Sequence, residues 1–239
     1  MQGVITFTRA VPQCGSGHDD SECEQAMARF AARQGFEHCL YLAHVYPPMT
    51  RPTVIQAGHC PEGWQQVYAS QNLSELDPWI RHAQGHGSPW FWDSDCQSVP
   101  AVFWQEALRH GMRHGCTLPV RTEHGIIGAM TFARARQPVS LAEYAEKAGE
   151  LQAFCQDLHA GLLKRRLPQL FHRPDSQLSE RERTILKWTA DGKTSSEIAL
   201  ILGLTKRTIN FHVAKATLKL NSTNKTQAAL KAAVLGMLF

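Results

Sequence analysis

At 239 residues and 43% hydrophobic, the chain is long enough for two domains, each with its own core. No run approaches the ~18 apolar residues of a membrane span, and no basic-then-apolar leader is visible, so a soluble cytoplasmic protein that engages no membrane is expected. The net charge of +4 divides unevenly: residues 164–239 carry 14 Lys/Arg against 5 Asp/Glu, while residues 1–163 carry 11 against 16. A polyanionic partner would therefore meet the C-terminal third alone.

Taken in chain order, the segment through Gly35 holds an amphipathic helix with Met27, Phe30 and Ala31 at helical spacing. Phe36 to Val45 reads as a strand, ended by Pro47, Pro48 and Pro52. Glu62 to Ser70 is helical, Asp77-Pro78 starts a further element, and Phe103 to His110 is a short helix stopping near Gly111. Cys116 to Val120 and Ile126 to Ala133 are strand-like, split by a polar turn at Glu123-His124-Gly125. Leu141 to Leu163 is a long helix, with Tyr144, Ala148, Leu151, Phe154, Leu158 and Leu162 on one face. A basic, Pro-containing stretch, residues 164–177, is the expected linker. Strands interleaved with helices predict an α/β sandwich for residues 1–163.

All 7 cysteines lie in this first part, odd in number and without a C-x-x-C pair, as expected of free thiols in a reducing compartment. His82 with His86 and His110 with His114 have the spacing that chelates a metal from one helix face. Gly85 and Gly111 weaken both helices and no third ligand stands out, so no metal is expected. A tryptophan or tyrosine at helical spacing is by default core, and a lone Asp before Pro is by default a turn residue.

The C-terminal part carries stronger signals. Ser179-Glu180-Arg181-Glu182 is a capping box opening a helix, with Ile185, Leu186 and Thr189 inward and Gly192 as its stop. Thr194-Ser195-Ser196-Glu197 is a second box, followed by Ile198 and Ile201, and Gly203 turns the chain into a third helix capped by Thr205. Ile209, Val213, Ala216 and Leu220 form that helix's apolar stripe, with Arg207, Asn210 and Ala214 pointing away from it. This is helix-turn-helix chemistry. Arg or Asn reads base edges in the major groove, small Ala214 allows close approach or meets a thymine methyl, and flanking Lys and Thr meet phosphates. Lys193, Thr194, Lys206, Thr208, Lys215 and Lys219 are the flanking candidates. A solvated helical bundle with an idle basic face is the alternative reading.

Residues 178–238 resemble the LuxR-type DNA-binding domain, through L-S-E-R-E-R-T-I-L-K-W-T-A-D-G-K-T-S-S-E-I-A, T-I-N-F-H-V and K-L-N-S-T-N-K-T-Q-A, with Glu182, Leu186 and Gly192 at hallmark positions. The resemblance implies an all-α four-helix module, here residues 178–239, whose third helix enters the major groove of double-stranded DNA and whose last helix often pairs in a homodimer.

Such modules also end two-component response regulators, but the acidic cluster Asp19, Asp20, Glu22 and Glu24 does not follow a hydrophobic strand as a phosphoacceptor site requires. The acyl-homoserine-lactone receptors of the LuxR family are the better match. Trp64 and Tyr68 in W-x-x-x-Y, Asp77 in the D-P turn, Trp92 in P-W-F-W-D and Gly115 in H-G-C-T-L-P-V follow that family's order. The resemblance implies that the Trp64 indole N–H donates to a lactone carbonyl, the Tyr68 hydroxyl to an amide carbonyl, and that Asp77 accepts the amide N–H. Trp92 would pack on the ring and Gly115 leave room for close approach.

The chain departs from the pattern at Cys60, where relatives carry Tyr, at Leu40, where they place a small hydroxyl residue, and at Cys116, where a bulkier side chain is common. A roomier, more apolar pocket for a medium or long acyl chain is expected. The overall expectation is a quorum-sensing regulator that binds such a lactone and, as a dimer, an inverted-repeat site, with no cofactor and no catalytic residues. A ligand-independent or antagonistic regulator, a response regulator and a Cys/His lactone hydrolase are the alternatives.

Overall fold

In a computed structural model, residues 18–46, 49–50, 52–93, 95, 100–122, 126–171 and 177–239 are described. The Pro47-Pro48 break, the 123–125 turn and the core of the linker lie outside them. The chain divides into two compact units, one made largely of residues up to His159 and one made largely of residues from Ala160 to Phe239.

The first unit is built on an antiparallel five-stranded sheet in the order β2-β1-β5-β4-β3. Its strands are β1 (His38–Val45), β2 (Thr53–His59), β3 (Trp90–Trp92), β4 (His114–Arg121) and β5 (Ile127–Arg134). Because side chains alternate across a sheet, register decides what each residue meets. Cys39, Tyr41, Met130 and Phe132 face the layer formed by α1 (His18–Arg33) and the long helix α5 (Leu141–Phe171). There Phe30 stacks on Phe154 at 3.8 Å, Cys39 Sγ meets Met130 Sδ at 3.6 Å, and the Tyr41 hydroxyl meets His159 Nδ1 at 2.7 Å. Leu42, Ala129 and Ala133 face the opposite layer, made by α2 (Trp64–Ser70), α3 (Pro78–Gly85) and α4 (Ala101–Arg109). The unit is an α/β sandwich with helices on both faces.

Three features differ from the sequence reading. Strand β2 was not expected, and neither was β3, which at three residues is too short to show alternation. Helix α5 does not stop at Leu163 but continues past Pro168 to Phe171. Lys164, Arg165 and Arg166 favour helix, and a proline near a helix end removes one hydrogen bond without ending the element. The histidine pairs stand at helix ends, in keeping with the glycines beside them. His86 caps the end of α3 with its ring stacked on His82 at 4.6 Å, while His110 caps α4 and His114 opens β4. Among the described residues no group of three His, Cys, Asp or Glu could hold a metal, and no helix is long and apolar enough to cross a membrane.

The second unit holds α6 (Glu180–Ala190), α7 (Ser195–Leu202), α8 (Lys206–Lys219) and α9 (Lys225–Val234). Both capping boxes form as expected, at Ser179/Glu182 and Thr194/Glu197, and the Thr205 side chain caps α8. Gly192 and Gly203 stand at φ +83° and +64°, left-handed conformations that let one helix stop within two residues of the next cap. Leu186, Ala216, Leu220, Ala228 and Ala232 fill one core, and Ile185, Ile198 and Ile209 a second. Of the two isoleucines that follow the second capping box, Ile198 is buried and Ile201 is 45% exposed.

Two lysines tie α8 in place. The Lys219 ammonium lies 2.7 Å from Glu182 Oε2, which also accepts the Ser179 backbone N–H at 2.8 Å. Lys231 on α9, 8% exposed, donates to the carbonyls of Leu220 and Asn221 at 3.2 and 2.6 Å and so caps the C-terminal end of α8.

Since Glu182 is 2% exposed and serves both the α6 cap and the α8 bridge, removing it takes the carboxylate from a half-buried lysine and leaves a backbone donor without its partner. Glu182→Ala should destabilise this unit by about 2–4 kcal/mol, and Glu182→Gln, which keeps the cap geometry, by less. Urea unfolding followed by helical circular dichroism reads both; an alanine effect below ~0.5 kcal/mol contradicts the account.

Candidate functional site

Between the sheet and α2 and α3 lies a narrow cleft, floored by Leu40, Leu42, Ala129 and Thr131 and walled by Trp64, Tyr68, Asp77 and Trp79. Local rules place the polar members. Trp64 and Tyr68 are four apart on α2 and turn the same way, with rings 5.8 Å apart. Asp77 precedes Pro78 and caps α3: its Oδ1 accepts the backbone N–H groups of Trp79 at 2.8 Å and Ile80 at 3.3 Å. Its Oδ2 accepts the Tyr68 hydroxyl at 2.8 Å.

This pair is buried, Asp77 at 2% and Tyr68 at 6% exposure. Burial pushes the Asp77 carboxyl up to about 6, against the downward pull of the Tyr68 hydroxyl, the Ile80 and Trp79 N–H groups and Arg81. Burial and the Asp77 charge hold the Tyr68 phenol well above its ordinary value. Tyr68's one hydroxyl hydrogen is given to Asp77 here, which changes its expected role as donor to a ligand. The indole N–H groups of Trp64 and Trp79 are buried with no partner. A buried polar group without a partner calls for an explanation, and a cleft beside it supplies one.

Trp92 and Gly115 stand one layer back. They are cross-strand partners, and a Cβ at Gly115 would lie 2.4 Å from the Trp92 ring and 2.3 Å from the Phe132 carbonyl oxygen. Gly115 therefore makes room for Trp92. The Trp92 ring stacks on Trp79 at 5.2 Å, and its indole N–H donates to Thr117 Oγ1 at 3.1 Å, which meets Thr131 Oγ1 at 3.0 Å.

Of the expected departures, Leu40 does line the cleft and Cys60 packs against the tryptophan core. Cys116 does not. Gly115 and Thr117 face the cleft layer, so alternation turns Cys116 to the α5 side, and it adds nothing to the room for a ligand. Sequence reading overlooked Trp79, Thr117 and Thr131. A tryptophan two residues beyond the capping Asp was the available signal for the first, and alternation on β5 for Thr131.

On α8, Arg207, Asn210, Phe211, Ala214, Lys215 and Lys206 are exposed, and Thr208 is half-buried beside the Thr205 hydroxyl at 2.9 Å. Arg207, Asn210, Phe211 and Ala214 make one stripe. Phe211, 54% exposed with Lys215 Nζ 4.5 Å from its ring centroid, was not expected there; an aromatic off the apolar stripe was the visible signal. Lys193 and Thr194 open α7, the Thr194 hydroxyl being given to Glu197 at 2.7 Å. Lys219 differs from its expected phosphate contact. Its ammonium is engaged by Glu182 and by the Gln177 carbonyl at 2.9 Å, so it acts as a strut inside the unit.

A raised carboxyl pKa has a definite sign. Asp77 binds its proton more tightly folded than unfolded, so its contribution is fully present below pH ~4 and is lost as pH rises through 6. The ligand-free chain should lose roughly 2–3 kcal/mol between those limits from this group. Asp77→Asn should flatten that slope in pH-dependent urea unfolding; an unchanged slope contradicts the assignment.

Comparison with known proteins places both units in known families. Residues 19–162 match the autoinducer binding domain and residues 176–232 match the luxR family of bacterial regulatory proteins. The transcriptional activator SolR of Ralstonia nicotianae is 31% identical over 223 residues, 93% of this chain and 94% of that protein. The quorum-sensing regulator RhlR of Pseudomonas aeruginosa is 34% identical over 221 residues, 92% and 91% of the two chains. The crystal structure of Escherichia coli SdiA superposes with a TM-score of 0.77 at 29% identity over 92% of each chain, and SdiA in complex with octanoyl-rac-glycerol with 0.76 at 29% identity over 92% and 89%. The chain belongs to the luxR family of quorum-sensing transcription regulators, with an autoinducer-binding domain ahead of a helix-turn-helix that binds DNA.

Proposed function

We propose that the autoinducer is an N-acyl-homoserine lactone and that its burial in the cleft licenses DNA binding by a homodimer in the cytoplasm. The buried Tyr68–Asp77 pair beside the unpartnered Trp64 indole carries this reading. An apolar cleft with a few convergent polar groups suits a molecule with a carbonyl-rich head and an alkyl tail. Trp64 donates to the lactone carbonyl. The remaining lone pair of Asp77 Oδ2 accepts the amide N–H, a bond that favours the ionised carboxylate. Trp92 and Gly115 shape the wall through Trp79. The tail lies along Leu40, Leu42 and Ala129, and a medium or long acyl chain is the proposed fit. SdiA bound to octanoyl-rac-glycerol supports an eight-carbon acyl group in this fold.

The division of labour proposed is residues 1–163 for the ligand, 164–177 for the joint and 178–239 for DNA. Binding rather than catalysis is proposed for the cleft. Burial raises the Cys60 thiol, the opposite of what activates a nucleophile. On DNA, Arg207 and Asn210 read base edges, with Ala214 and Phe211 in apolar contact, while Lys193, Thr194, Lys206, Thr208 and Lys215 meet phosphates. A dimer presents two such helices to half-sites about one helical turn apart.

Thermal unfolding with lactones of four to twelve acyl carbons tests the ligand. Octanoyl or longer chains should raise the midpoint most; best protection by the four-carbon chain, or by octanoyl glycerol alone, overturns the assignment. Arg207→Ala and Asn210→Ala should abolish discrimination between a selected inverted repeat and random duplex without lowering helix content, and affinity should fall steeply with salt. Retained discrimination in both variants refutes the reading face.

A further inference from the structure

The donor inventory of the cleft leaves a second tryptophan unaccounted for. Tyr68 gives its hydroxyl hydrogen to Asp77 at 2.8 Å, and Trp92 gives its indole N–H to Thr117 at 3.1 Å. The indole N–H groups left over are those of Trp64 and Trp79. Both are buried without a partner, both side chains border the cleft, and their ring centroids are 6.2 Å apart. An unmade hydrogen bond at a buried donor is destabilising, and two such donors stand here side by side. If Trp79 only filled volume, an all-carbon ring would serve as well without that penalty.

Trp79 is also held still. Its ring stacks on Trp92 at 5.2 Å and 28° and meets the Phe103 ring edge-on at 4.9 Å. Its own backbone N–H donates to Asp77 Oδ1 at 2.8 Å, so the indole belongs to the same turn as the carboxylate. In a trans amide the carbonyl oxygen points away from the N–H. A ligand whose N–H is accepted by Asp77 therefore directs its acyl carbonyl across the cleft, toward the indoles that line it rather than toward the carboxylate.

We propose that Trp79 is a ligand-binding and specificity-determining residue, its indole N–H donating to the acyl carbonyl oxygen of the ligand while Trp64 serves the lactone carbonyl. The proposal rests on the reading of the cleft as an acyl-homoserine-lactone site. It assigns to an indole the role that the Tyr68 hydroxyl, already given to Asp77, does not fill. The rigid stack on Trp92 makes the donor a fixed one, so ligands without a carbonyl at that place leave it unpaired and are rejected.

The test is an indole 1H–15N spectrum of the full chain, whose 6 tryptophans give six signals. Trp64→Phe and Trp79→Phe assign two of them, with Trp79→Tyr as the alternative where the phenylalanine variant does not fold. Octanoyl-homoserine lactone should move both signals downfield, and Trp79→Phe should weaken its binding about tenfold. Movement of the Trp64 signal alone, or unchanged affinity in the folded Trp79 variant, overturns the proposal. Movement of neither signal overturns instead the lactone reading on which it rests.

Discussion

The first unit depends on one carboxylate held in a place where carboxylates are unwelcome. Asp77 accepts two backbone N–H groups that would otherwise be orphaned at the start of α3 and the hydroxyl that fixes Tyr68 on α2. Two helices are thereby oriented over the sheet by a single side chain. The structure answers the desolvation penalty with three hydrogen bonds and no direct ion pair, so the charge remains partly unneutralised. In the proposed reading, a further N–H arriving from the ligand completes this arrangement. The folding role and the proposed binding role are then one electrostatic problem solved in two stages.

The second unit repeats the device with a different outcome. Glu182 is as little exposed as Asp77 but less deeply enclosed, and it has Lys219 beside it; its pKa lies below the ordinary value, because the Lys219 contact and the Ser179 hydrogen bonds outweigh burial. One carboxylate is met by neutral donors and the other by an ion pair as well. The second makes a scaffold that holds α8 in place. Lys231 closes the far end of that helix with the same economy.

Legibility in the sequence followed the range of the interactions. The capping boxes, the glycine stops and the Trp64–Tyr68 spacing depend on residues within four positions and were readable directly. The wall of Trp79, Trp92 and Gly115 joins α3, β3 and β4, and nothing in the local composition around Trp90 announces a three-residue strand. Cys116 shows the limit most clearly: its neighbour in sequence faces the cleft layer while it faces α5, and only register settles which. Lys219 shows the same limit on a helix, where a basic residue near a reading face proved to have a carboxylate within the unit.

The absent side chain at Gly115 has a consequence for how such a receptor diverges. Trp92 rests where a methyl group would be, and Trp79 rests on Trp92. A mutation at this strand position would tilt one ring against the next and reshape the wall without altering any group that faces the cleft. Neighbouring lineages could then differ in what the cleft accepts through a residue that stands behind the Trp92 ring. Comparing only the residues around the cavity would then miss the place where the change was made.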